Sequence, residues 1–276
     1  MALFTVDPRT CNQDGLCAAV CPPGVIAFTA GVCPVPTADA EAVCIRCGHC
    51  VAVCPTASLT HREMAPADCA PLSPELALTE AQCAQLLRGR RSIRAYRRQP
   101  VDRATLARLI DLARYAPSGH NSQNAEWLVL SGRAQLRRLA GLVVDWMRRV
   151  QVDSPELART MHLERTVARW QAGHDVILRG APALVVAHAP AADRLAPSSC
   201  TIALAHLELA AAALGLGGCW AGYLHAATAS FAPLVAALDL PAGHQCFGAM
   251  MVGYPKFRYQ RVPTRRPARI TWRLED

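Results

Sequence analysis

Two cysteine frames lie near the start of the chain. Residues 44–55, CIRCGHCVAVCP, form a complete C-x2-C-x2-C-x3-C-P run from Cys44, Cys47, Cys50 and Cys54. Residues 11–22, CNQDGLCAAVCP, keep the frame through Cys11, Cys17, Cys21 and Pro22 but put Asp14 where the second cysteine belongs. A carboxylate there keeps an anionic donor while exchanging soft sulfur for hard oxygen. The opening MALFTVDPRTC has no basic segment followed by an apolar one, so a cytoplasmic location is expected. Thirteen cysteines at such spacings, in a reducing compartment, argue for metal and not disulfides.

The paired frames resemble the bacterial two-cluster ferredoxin over about residues 5–60. In that arrangement three closely spaced cysteines wrap one cubane, and the fourth, before proline, crosses to the other cluster. The resemblance implies one 4Fe–4S cluster held by Cys44, Cys47, Cys50 and Cys21. It implies a second, 4Fe–4S or 3Fe–4S, surrounded by Cys11, Asp14, Cys17 and Cys54. Zinc is the competing reading of C-x2-C pairs, and seven interlocked cysteines favour iron–sulfur. Cys33 in GVCPVP reads as a buried small residue, and is the reserve ligand should Asp14 not serve. Cys69, Cys83, Cys200 and Cys246 have no metal spacing and read as buried or incidental thiols.

A second set of residues suits an anion. RRSIRAY (90–96), PSGHNSQ (117–123), GLGGCWAGY (215–223) and GYP (253–255) resemble, in order and spacing, the FMN-dependent nitroreductase family over about residues 85–276. A phosphate monoester takes forked guanidinium donors and a hydroxyl. The resemblance assigns these to Arg90, Arg91, Ser92 and Arg94, with Arg265 or Arg266 adding a C-terminal cation. It implies that Pro117, Ser118, Gly119, Asn121 and Gln123 reach the flavin from the other subunit of a homodimer. Cys219, Trp220, Ala221 and Gly222 would run along the ring, with amides near Ala221–Gly222 facing N5. The family's usual proline and glutamate here are replaced by Cys219, Trp220 and Ala221, and the proline after N-S-Q by Asn124, so the acceptor and any nicotinamide docking differ from the better-known members. The G-L-G of 215–217 lacks the preceding strand and third glycine of a dinucleotide loop. No catalytic residue is assigned. His49, His120 and His225 read as bystanders, and Glu208, inside an apolar helix, calls for a structural partner.

These residues need elements to hold them. Residues 1–62 read as the ferredoxin-like domain, 63–80 as a proline-rich linker and 81–276 as the flavin domain. In the latter, DRATLARLIDLARY (102–115) reads as a helix capped by Asp102. Residues 126–131, 183–188 and 245–253 read as strands, and 134–150 and 200–214 as helices, the last apolar all round and so assigned to the core. The fold class expected is α+β: an N-terminal iron–sulfur domain, then a nitroreductase-like α/β layer of sheet flanked by helices. The long uncharged stretches are broken by glycine and proline, so no membrane span is expected. The net charge of +8 is almost wholly arginine, scattered without aromatic interleaving, which argues against nucleic acid and suits an acidic redox partner.

The expected function is an oxidoreductase passing electrons between the clusters and FMN to a small acceptor such as a nitroaromatic, quinone or activated alkene. A low-potential ferredoxin or flavodoxin is the expected donor. The alternatives are an electron carrier or sensor without a dedicated substrate, or a specialised chemistry such as dehalogenation.

Overall fold

The computed structural model describes residues 2–274. The chain divides into two compact units, Met1–Ala77 with Ser118–Gln123, and Leu78–Pro117 with Asn124–Asp276.

The first unit is built from short pieces. In order these are β1 (Phe4–Val6), α1 (Leu16–Ala19), β2 (Ile26–Ala27), β3 (Val35–Pro36), α2 (Ala40–Val43), α3 (His49–Val53) and β4 (Leu59–His61). β1 pairs antiparallel with β4, and β2 with β3. Leu3, Phe4, Val25, Ile26, Val51 and Leu59 form its small core. The two cysteine frames share one backbone trace. Gln13 and Arg46, Gly15 and Gly48, and Gly24 and Ala57 are all left-handed, each pair offset as Cys11 is from Cys44. Gly15 and Gly48 each open a helix, α1 and α3, at a φ of 72° and 73°, a conformation that glycine adopts without a Cβ penalty.

The second unit adds α4 (Glu80–Gly89), α5 (Arg103–Ala113), β5 (Glu126–Ser131), α6 (Arg133–Asp153), α7 (Pro155–Thr160), α8 (Leu163–Gln171), β6 (Ala183–Pro190), α9 (Ala196–Ala213), β7 (Gly217–Trp220), α10 (Gly222–Thr228), α11 (Ala232–Leu238) and β8 (His244–Gly253). The strands form one antiparallel sheet in the order β5-β6-β8-β7. Along β6, Leu184 and Val186 enter the core shared with α6, α8, α10 and α11, while Ala183, Val185 and Ala187 enter the core shared with α5 and α9. A sheet covered on both faces explains the apolar run Ala183–Ala187 of this strand. Asp102 caps α5 as expected, its carboxylate accepting from the Thr105 amide at 2.8 Å. No helix among the described residues is long and apolar enough to cross a membrane.

Two readings are corrected, and a third is narrowed. Cys33 is only half-buried, because it lies beside Cys11 on the irregular stretch before β3 and outside the small core. Helix α9 is not enclosed all round: Cys200, Leu204, Leu207 and Ala211 face the core, yet Ile202 is exposed. Cys69 and Cys83 are exposed, which leaves them incidental. Strand β7 was not foreseen, because GGCW carries no alternation. α7 and α8 were also missed.

Leu139 of α6 is 1% exposed in the larger core. Leu139→Ala is expected to destabilise the second unit by about 2–5 kcal/mol, the cost of lost burial plus a residual cavity. Calorimetric unfolding checks this, and a change below about 1 kcal/mol would contradict the packing described.

Candidate functional site

In the first unit the cysteines converge on two small cavities. Cys21, Cys44, Cys47 and Cys50 line one, with Leu3, Phe4, Val25, Ile26 and His61. Cys11, Asp14, Cys17 and Cys54 line the other, with Val6, Pro34, Ser58 and Leu59. Each quartet takes three members from one frame and its last cysteine from the other frame. Asp14 occupies the position of Cys47 in the repeated trace, and its Oδ1 accepts from the Leu16 amide at 3.0 Å. Converging thiols resist ionisation. Burial, aided by Cys21 and Cys47, pushes the Cys50 thiol up to about 11, and burial also raises Cys17. Cys54 goes the other way. Burial opposes its charge, but hydrogen bonds with Ser58 at 3.3 Å and Thr56 at 3.6 Å outweigh it and bring the thiol to about 7. The Arg46 amide donates to Cys44 Sγ at 3.4 Å, and His61 Nε2 lies 3.8 Å from the same sulfur. His49 sits on the exposed end of α3, its Nδ1 3.4 Å from Cys47 O.

The segment Ser118–Gln123 folds with this unit. Asn121 Nδ2 donates to the carbonyls of Ile45 at 3.3 Å and Arg46 at 3.0 Å, the two residues between Cys44 and Cys47. Ser118 Oγ accepts from the Gln123 amide at 2.9 Å. His120, Asn121 and Gln123 all have φ near +50°. Three non-glycine residues in the left-handed region within one short loop is a costly geometry that persists only when neighbours impose it. Gly119 opens the turn that His120 and Asn121 complete, and Pro117 falls just outside it in the second unit.

In the second unit an open cleft of about 820 Å³ is lined by Arg90, Arg91, Ile93, Arg97, Glu208, Gly215–Gly218 and Pro255–Tyr259. That volume lies within the range of small-molecule sites, about 300–1,000 Å³. Its cations, Arg90, Arg91, Arg97, Lys256 and Arg258, face a single carboxylate. That carboxylate, Glu208, is the buried acid whose partner was sought: Arg90 Nη1 donates to its Oε1 at 2.8 Å. Arg91 is braced by the carbonyls of Arg90 and Arg88, both at 2.7 Å, and its Nε is buried with no partner. Gly217 is required here, because a Cβ would collide with Ile93, whose amide bonds to Gly218 O at 2.9 Å.

Arg94 does not join this cleft. It lines a second one of about 720 Å³ with Arg133, Arg137, Arg169, Arg179, His174 and Asp175. Ile93 and Arg97 lie on one side of the segment running beside β7 and Arg94 on the other, as the alternation of an extended backbone dictates. Ser92 is half-buried and appears in neither lining. Arg265 and Arg266 are exposed on the segment after β8 and also line neither. Cys219 is buried on β7, and burial raises its thiol against the pull of Arg94 and Arg179. The Ala221 amide is already taken, donating to Ala249 O at 2.8 Å, which corrects the expectation that it faces a flavin. The Gly222 amide begins α10, where no intrahelical acceptor exists. Trp220 ends β7, half-buried. The second arginine cluster was invisible in the sequence because its members come from four separate stretches.

Residues 87–254 match the family model described as Nitroreductase family. Nitroreductase NfnB of Mycolicibacterium smegmatis is 37% identical over 86 residues, 31% of this chain and 36% of that protein, so the match spans about a third of the curated relative. Among solved structures, a nitroreductase with bound FMN from Bacteroides fragilis aligns with a TM-score of 0.56 at 22% identity, over 70% of this chain and 98% of that one. A nitroreductase with bound FMN from Desulfitobacterium hafniense gives 0.56 at 20%, over 71% and 99%. A BluB-like flavoprotein from Clostridium difficile gives 0.55 at 19%, over 69% and 96%. These likenesses establish the fold of the second unit.

Proposed function

The chain belongs to the nitroreductase family, and on that premise we propose that it is an FMN-dependent oxidoreductase fed with electrons by two iron–sulfur clusters in its first unit. The flavin phosphate fits the Arg90–Arg91 cleft. Glu208 engages one nitrogen of Arg90, leaving further N–H groups of a fork that holds five donors, and the buried Arg91 Nε lacks an acceptor. FMN supplies the conversion between single electrons and a hydride. The chain's part is to hold its phosphate, to bring backbone close at Gly217, Gly218 and Gly222, and to leave room for an acceptor such as a nitroaromatic, quinone or activated alkene.

The clusters are supported by the two cavities. Cys21, Cys44, Cys47 and Cys50 suit a 4Fe–4S centre; Cys11, Asp14, Cys17 and Cys54 suit a 4Fe–4S or 3Fe–4S centre. A unit with so small a core also needs a metal staple to hold together. Iron held there would balance the charge of thiolates that otherwise resist forming beside one another. The observation that carries the electron-transfer reading is Asn121. The loop that the family resemblance assigns to the flavin is gripped by the backbone between two cluster cysteines.

A homodimer is part of this reading. Phe257, Tyr259, Ile270 and Trp272 stand exposed on a segment without helix or strand, Trp272 at 69%. So many bare apolar side chains are a liability unless a second copy covers them.

Anaerobically purified protein is expected to carry one FMN and two clusters per chain, and its flavin to be reduced faster by reduced ferredoxin than by NAD(P)H. Rapid NAD(P)H reduction with idle clusters would reverse the direction of flow proposed. Asp14→Cys is expected to turn the second centre into an all-cysteine 4Fe–4S cluster, read by iron content and electron paramagnetic resonance. Unchanged spectra would remove Asp14 from the iron and point to Cys33.

A further inference from the structure

Three adjacent strands of the second unit bring Glu126, His188 and His244 together. Glu126 stands directly opposite His188 across β5 and β6, and His244 begins β8, which runs beside the end of β6. His188 is the single polar side chain of β6 and is 4% exposed. The β6–β8 ladder slips register between Ala187 and His188, and such a bulge re-aims a side chain out of its alternation. His188 Nδ1 lies 3.0 Å from His244 Nδ1. Glu126 Oε1 lies 4.0 Å from His244 Nε2. One ligand atom from each of the three lies within 4.8 Å of the other two.

We propose that Glu126, His188 and His244 bind a divalent transition-metal ion of the zinc class, at a site apart from both the cysteine cavities and the Arg90 cleft. Two imidazoles and one carboxylate suit zinc and its neighbours and disfavour magnesium or calcium. Two nitrogens on one tetrahedral ion, each at about 2.0–2.1 Å, stand about 3.3 Å apart. The present Nδ1 separation therefore opens by a few tenths of an ångström to chelate. The Glu126 side chain is 56% exposed and free to swing inward, and solvent on that side completes the coordination. Bound there, the ion clasps β5, β6 and β8 at one end of the sheet.

The test is an anaerobic titration of the full-length holoprotein with Co2+, then competition with Zn2+. One equivalent of Co2+ is expected to give weak visible d–d bands without the intense near-ultraviolet charge transfer of thiolate ligands, and Zn2+ should abolish them. Glu126→Gln changes an exposed residue and is expected to weaken binding about tenfold or more; His244→Gln should remove the bands. Retained flavin and cluster spectra in these variants report an intact fold. Co2+ bands of equal strength in parent and both variants, or bands of thiolate type only, would overturn the site. So would the parent protein taking up no Co2+.

Discussion

A chain carrying Arg90→Ala and Arg91→Ala will bind FMN about two to four orders of magnitude more weakly than the parent. The flavin phosphate carries close to two negative charges. Each charge-assisted hydrogen bond it accepts is worth about 1.5–3 kcal/mol, and every 1.4 kcal/mol is about tenfold in affinity. Removing two of the five cations from a cleft lined by the single carboxylate Glu208 also weakens the local positive field. Arg90→Ala alone strands Glu208, 9% exposed, without its partner, and an unpaired buried carboxylate destabilises the apoprotein. Adding Glu208→Gln separates that structural loss from the ligand loss. Arg94→Ala, which faces the other cleft, should cost less. Fluorescence titration of FMN into the apoproteins reads all of these. Wild-type affinity in the double variant would place the phosphate elsewhere.

Replacing Cys50 with alanine will slow ferredoxin-driven reduction of the bound flavin by about 10²–10⁴-fold while leaving the flavin in place. The range is what tethering two centres in one chain contributes through effective concentration. Cys50 lines the first cavity beside Cys21, Cys44 and Cys47, and on the function proposed above its loss would leave three ligands for a centre that takes four. The tethered relay is then gone, and the donor must meet the flavin by bimolecular collision. Chemical reduction by dithionite at the parental rate serves as the control for an intact second unit. Undiminished ferredoxin turnover would mean that electrons bypass this cluster.

Much of the local backbone was legible without coordinates because it is written in short spacings. The frames around Cys11 and Cys44 repeat not only cysteines but glycine and turn positions, and the shared left-handed residues follow from that repetition. Asp102 capped its helix, and β5, β6 and β8 lay where apolar runs put them, since the signals for cap and strand are local. The nitroreductase motifs were readable for the same reason.

Tertiary structure decided what those residues face. From RRSIRAY alone, Arg90 and Arg94 look like one cradle; in the fold they line different clefts. Glu208 was visibly in need of a partner, but that the partner was Arg90, far away in sequence, is a consequence of how α9 and the turn after α4 come together. The Ala221 amide, free in a linear reading, is consumed by the ladder to Ala249. His188 and His244 drew no notice because each is a lone histidine in its own strand, and only strand register and a bulge bring them within 3.0 Å of each other. Spacing along a chain fixes which groups are neighbours on one turn or one frame, where few backbone angles intervene. Which groups meet across a sheet depends on register and side-chain alternation, where a slip of one residue exchanges the two faces.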